Sequence, residues 1–258
     1  MVRSRAIIIL AVWCIVFACV SAARAESRAD YANIFDQAAT YYEKGLYDKA
    51  IAEYESILNK GLEGGNIYYN LGNCYLKKGA IGKAIVSYER AKGFMPRDSD
   101  LLFNYRYAKS LIKQKKAAPV KIWLLSAIWR TNEFLSTRET IVVTSVIYYC
   151  TILLVTLFVF FKKYRAYLKY AIAVFAVLLL VMFIWSVGKV DDLNTAAIVV
   201  TNITDSKLEP LENAPANFPL YEGTKVYILR TRGDWCKIRL SDAEVGWLKK
   251  DAVELIGR

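Results

Sequence analysis

Gly45-Leu46-Tyr47-Asp48-Lys49-Ala50-Ile51 is answered 34 residues later by Gly79-Ala80-Ile81-Gly82-Lys83-Ala84-Ile85. The same offset relates Ala38 to Gly72, Tyr41 to Tyr75, Tyr54 to Tyr88 and Ile57 to Ala91, and Pro96 closes the second copy. Agreement at this many positions marks an internal repeat. The residue types explain one another. Glycine suits the left-handed turn that ends a helix. Small residues at Ala38/Gly72 and Ala50/Ala84 let two helices approach closely, and the four tyrosines fill the space around that contact. The expectation is two successive helix pairs, each folded about its glycine turn.

A third copy begins at Ser99-Asp100, a suitable helix N-cap. It then departs, because the close-packing position counted by the period is Arg106. Residues 100–116 therefore read as a single capping helix. Leu101, Leu102, Tyr105, Ala108 and Leu111 would cover the last repeat, and Lys113-Gln114-Lys115-Lys116 forms a basic end. Repeat arrays need such a terminal cap.

A helix-turn-helix unit with this period and pattern resembles the tetratricopeptide repeat. The resemblance implies that the first helix of each unit lines a concave groove for an extended peptide. Its inward positions are Ala32, Phe35, Ala39 and Tyr42 in the first unit. In the second they are Asn66, Tyr69, Asn73 and Leu76, with Lys77 beside them, and Phe103 and Tyr107 extend the surface. Asn70 and Asn104 take the family position that bonds a peptide backbone, since an amide both donates and accepts. Either asparagine reads equally as satisfying its own neighbours. The family's two-carboxylate clamp is incomplete, because Phe35 and Ala39 stand where its lysine and asparagine belong. A C-terminal carboxylate is therefore not the expected ligand.

The 258 residues are 55% hydrophobic, which points to membrane segments. The net charge of +11 is segregated: residues 1–25 carry +3, 141–190 carry +5, and 191–258 carry −2. Such charge sets membrane topology and points away from nucleic acid. Arg3 and Arg5, the apolar run Ala6–Val20 and Ala23-Arg24-Ala25 read as a signal peptide over 1–25. Lipidation at Cys19, with bulky Phe17 two residues before it, and an uncleaved anchor remain the alternatives. After Pro119, the tryptophan-bearing segment 119–140 reads as an interfacial helix on membrane lipid or a helix packed on the repeats.

Ile141–Phe161 and Tyr170–Gly188 carry no charge, and each is long enough to cross a bilayer. Between them, residues 162–169 hold Lys162, Lys163, Arg165 and Lys169, which places that loop in the cytoplasm by the positive-inside rule. Both flanking domains, 26–118 and 189–258, then lie on the outer side of a bacterial inner membrane, in the periplasm. The export signal agrees independently.

Beyond Gly188 the sequence turns to short β-rich runs at 197–201, 225–230, 235–240, 245–248 and 253–255. Glu222-Gly223-Thr224-Lys225-Val226, then Gly233-Asp234-Trp235, then Gly246-Trp247 resembles a bacterial SH3 domain, a small barrel. Asp205–Pro219, with three prolines, reads as a loop replacing that family's usual groove segment. Tyr227, Trp235 and Trp247 are candidates to stack on peptidoglycan, or are rim residues of the barrel.

The expected fold is thus multidomain: all-α tetratricopeptide repeats, two transmembrane helices, then a small all-β SH3-like barrel. That order is similar to the BatE-type proteins of the aerotolerance operons. The resemblance implies a scaffold working with membrane-bound von Willebrand A-domain proteins and a MoxR-type ATPase under envelope stress. Catalysis and cofactors are not expected. The chain has no histidine, its five cysteines lack metal-site spacing, and no glycine-rich phosphate loop follows a strand. Cys74 and Cys236 read as small buried hydrophobes.

Overall fold

The computed structural model describes residues 31–112, 135–240 and 244–257. The expected signal peptide, and the expected interfacial helix up to residue 134, lie outside the described residues. The chain divides into two compact units, one ending at Glu63 and one running from Gly64.

In the first unit, helix α1 (31–43) folds back onto α2 (Tyr47–Asn59) through Gly45, whose φ of 72° is left-handed. Ala38 and Ala50 are fully buried, together with Tyr54 and Ile57.

The second unit opens with the matching pair, α3 (Gly65–Lys77) and α4 (Ile81–Phe94), joined by Gly79 at φ 75°. The two run antiparallel, since Gly72 meets Tyr88 at mid-length and Gly65 meets Met95 at the end. A Cβ on Gly72 would lie 2.6 Å from the Tyr88 ring, which is why that position must stay glycine. Helix α5 (Ser99–Ser110) packs antiparallel on α4 through Tyr105, and so runs alongside α3 in the same direction. Its N-cap is Asp98 and not Ser99-Asp100, because the Asp98 carboxylate accepts the Leu101 amide at 2.9 Å. The helix also stops earlier than expected, and residues 113–116 lie outside the described residues.

Helix α6 (Thr137–Phe160) starts with a capping box. The Ser136 hydroxyl accepts from the Glu139 amide at 3.2 Å, and the Glu139 carboxylate accepts from the Ser136 amide at 2.8 Å. A 3₁₀ turn, Lys162–Tyr164, leads into α7 (Arg165–Thr195). Both helices are long and apolar enough to cross a membrane. Arg165 and Lys169, read from sequence as loop, lie within the first five residues of α7.

Helix α7 passes straight into a seven-stranded antiparallel sheet of order β3-β2-β6-β5-β4-β1-β7. Its strands are β1 (Ala196–Val199), β2 (Ile203–Lys207), β3 (Ala216–Tyr221), β4 (Lys225–Arg232), β5 (Trp235–Arg239), β6 (Val245–Lys249) and β7 (Val253–Leu255). Ala197, Val199, Leu220, Val226, Cys236, Ile238 and Leu248 form its core. The segment read as a proline loop is a hairpin: β2 pairs with β3, with a register shift between Asp205 and Lys207. Pro219 is tolerated because β3 is the edge strand, where a missing amide is not missed. All four residues of β1 are buried, so both of its faces are covered. The sheet core covers one face and α4 the other.

Candidate peptide-binding surface

Glycine-permitted contact brings the α4 hydroxyl of Tyr88 onto α3. That hydroxyl donates to Asn73 Oδ1 at 2.7 Å. Asn104 of α5 donates its amino group to the same oxygen at 3.0 Å and to the Tyr69 hydroxyl at 3.1 Å. Three helices are thereby pinned by one neutral polar network. Among the described residues, the Asn73 amino group and the Asn104 carbonyl oxygen are left without partners. Both asparagines are half-buried, so the network keeps one amide donor and one amide acceptor unused on this surface, the pair of groups that extended backbone can match.

The other sequence candidates are placed as follows. Asn70 is half-buried on α3, and Lys77 is exposed at that helix's C-terminal end. Phe103 is 65% exposed and Tyr107 52%, one turn apart on α5. Phe35 and Tyr42 lie in the first unit, where Phe35 packs edge-on against Tyr54 with ring centroids 5.5 Å apart. Tyr42 meets Tyr47 in the same manner at 5.5 Å.

The opposite face of α4 carries the sheet. A Cβ on Gly82 would sit 2.5 Å from the Val199 carbonyl oxygen, so only glycine admits β1 there. The Gly82 amide, in the first turn of α4, donates to the Glu222 carboxylate at 2.8 Å. The helix has no side-chain cap of its own at Ala80, and Glu222 supplies one from the β3–β4 turn. Two turns further on, Arg90 donates to the carbonyls of Leu255 at 2.7 Å and Ile256 at 3.0 Å, and pairs with Glu254 at 2.9 Å.

Between these clamps stands Glu89, which accepts a hydrogen bond from Tyr105 and pairs with Lys92 at 3.6 Å. Burial alone would raise its pKa, but Lys92, Lys225, the Tyr105 hydroxyl and Lys109 outweigh it and hold the carboxyl below its ordinary value. Glu89, Tyr105, Lys109, Lys225 and Tyr227 line a cleft of roughly 250 Å³ between helices and sheet. Burial also pushes the Cys74 thiol up to about 12.

Residues 65–94 match the tetratricopeptide repeat family. No curated protein matches the chain.

The three sheet aromatics do not share one environment. Tyr227 borders the cleft, whereas Trp235 and Trp247 are half-buried on β5 and β6 and are not among the residues that line it. There, Lys207 and Lys237 are the register neighbours of Trp247, and Lys249 sits over the Trp235 ring at 6.0 Å. Sequence reasoning missed Glu222, Glu89 and Arg90, and saw Tyr88 only as a filler. One signal was present: the repeat carries Gly82 where its first copy carries Asp48.

Proposed function

We propose that this chain is a membrane-anchored scaffold whose second repeat grips an extended segment of a protein partner. The observation that carries this reading is the Tyr69–Asn104–Asn73–Tyr88 network, on half-buried asparagines whose remaining donor and acceptor it leaves unused. The match of residues 65–94 to an interaction repeat supports it. Anchoring rests on α6 and α7, both of bilayer-spanning length. A hairpin of two spans returns the chain to the side it left, which agrees with the contact of α4 with β1. The basic turn around Lys162 supports a cytoplasmic position for the hairpin tip and a periplasmic one for both domains.

We read the sheet as SH3-like and the whole as BatE-type, acting in an aerotolerance complex with von Willebrand A-domain membrane proteins. The function is assembly and not catalysis. A second reading, peptidoglycan binding, draws on Trp235 and Trp247 among Lys207, Lys237 and Lys249. Sedimentation of the full chain with purified cell wall, lost on replacing both tryptophans by alanine, would be its mark.

The deciding experiment is co-purification after crosslinking in native membranes, comparing the full chain with an Asn73→Ala/Asn104→Ala variant. Loss of two backbone hydrogen bonds should weaken partner binding by about 1–3 kcal/mol. Unchanged recovery from a variant that circular dichroism shows to be folded would sink the groove as the binding site.

A further inference from the structure

The second repeat is tied to both helices of bilayer-spanning length. The α4–α5 connection is tied to the first turn of α6, because Arg97 pairs with Glu139 and the Thr137 hydroxyl donates to the Gly93 carbonyl at 3.4 Å. Glu139 is the last charged residue before Lys162, so the hydrocarbon edge begins within a turn of it. A second attachment prevents the repeat from swinging away. Arg90 holds the C-terminal end of the sheet, and the sheet is held to the end of α7. There the Gly257 amide donates to the Leu193 carbonyl at 2.9 Å, and Lys225 pairs with Asp192 at 3.7 Å.

Helices α3 and α5 both start at this membrane-proximal end, since Gly65 abuts Met95 and Ser99 follows directly. At 1.5 Å per residue, Tyr69 stands about 6 Å along α3 from that end, Asn73 about 12 Å and Lys77 about 18 Å. Phe103, Asn104 and Tyr107 span about 6–12 Å along α5 by the same measure. Any tilt lowers these heights.

We infer that the segment gripped here is a juxtamembrane stretch of another membrane protein, lying within about 20 Å of the bilayer surface. This rests on the groove reading above and adds to it the kind of partner. Six or so extended residues leaving a membrane span reach this height. A soluble ligand would have no need of a groove clamped to two membrane helices.

The test places a photo-crosslinking p-benzoylphenylalanine at Phe103 and, separately, at Tyr107. Both are exposed and outside the polar network. The full chain is irradiated in native membranes, and the joined peptides are sequenced by mass spectrometry. Crosslinks should fall on peptides within about ten residues of an apolar span in the partner, as extended-chain reach requires. They should disappear in the Asn73→Ala/Asn104→Ala background. Crosslinks that depend on the groove but fall on soluble proteins, or far from any span, would overturn the juxtamembrane assignment and leave the groove reading standing. Crosslinks indifferent to the asparagines would overturn both.

Discussion

The Glu222 carboxylate caps helix α4 from 140 residues away, taking the Gly82 amide at 2.8 Å. The alanine at the N-cap offers no side-chain acceptor to the first-turn amides, and here one comes from the β3–β4 turn, far along the chain but within the same compact unit. The second repeat is thus completed by the sheet. Cap removal in general costs about 0.5–2 kcal/mol. Glu222→Ala in the full chain should lower unfolding stability by that order, read from urea titration in detergent. Glu222→Gln should recover part of it, because the amide oxygen still accepts. Equal stability of all three proteins would remove the cap from the account.

Gly72→Ala tests the helix pair itself. The added Cβ would fall 2.6 Å from the Tyr88 ring, which cannot retreat without losing Asn73. Overpacking of this kind costs about 1–3 kcal/mol. The variant should melt well below its parent, whereas Gly93→Ala, with open space at its Cβ, should not.

The repeat was legible because helix pairing imprints small residues at fixed spacing, as at Ala38/Gly72 and Ala50/Ala84. The two long apolar runs were legible for an equally direct reason, bilayer thickness. The β2–β3 hairpin was not, because Pro215 and Pro219 mask a strand that only an edge position permits. Least visible was the docking of α4 on the sheet. Gly82 and Glu222 meet through a backbone amide, which leaves no compositional trace beyond one glycine in place of Asp48. The candidate asparagines, chosen by the repeat period and the family position, lie on α3 and α5. Spacing could not reveal that the Asn104 amino group is already committed to Asn73 and Tyr69.

Glu89 gives a pH signature. Its folded pKa lies below the ordinary carboxyl value of 4.5, so its contribution is complete above that value and is lost as pH falls through the folded pKa. The full chain should lose stability from about pH 5 downward more steeply than Glu89→Gln, which has no charge to lose. Parallel pH profiles would show that Glu89 does not bind the α4–α5–sheet junction.

Topology is read by alkaline phosphatase fusions. A fusion after Arg258 should be active and one within residues 162–169 inactive, given the four basic residues there. Activity at the inner position would reverse the orientation.

Tyr88→Phe separates positioning from contact. The Tyr88 hydroxyl does not face the groove as a ligand group; it fixes Asn73 by donating to its carbonyl oxygen at 2.7 Å. The ring is fully buried, and the phenylalanine retains its packing against Gly72. Loss of one such hydrogen bond costs about 0.5–1.5 kcal/mol of stability, so the variant should fold. Asn73, then held only by Asn104, is free to turn its amide and lose the donor–acceptor order of the network. Partner recovery from membranes should fall about as far as in Asn73→Ala, although Tyr88 touches no ligand. Combining Tyr88→Phe with Asn73→Ala should add nothing further, the non-additivity expected of residues acting through one network. Additive losses would mean that Tyr88 supports binding by another route, through α4 and the sheet it carries on its far side.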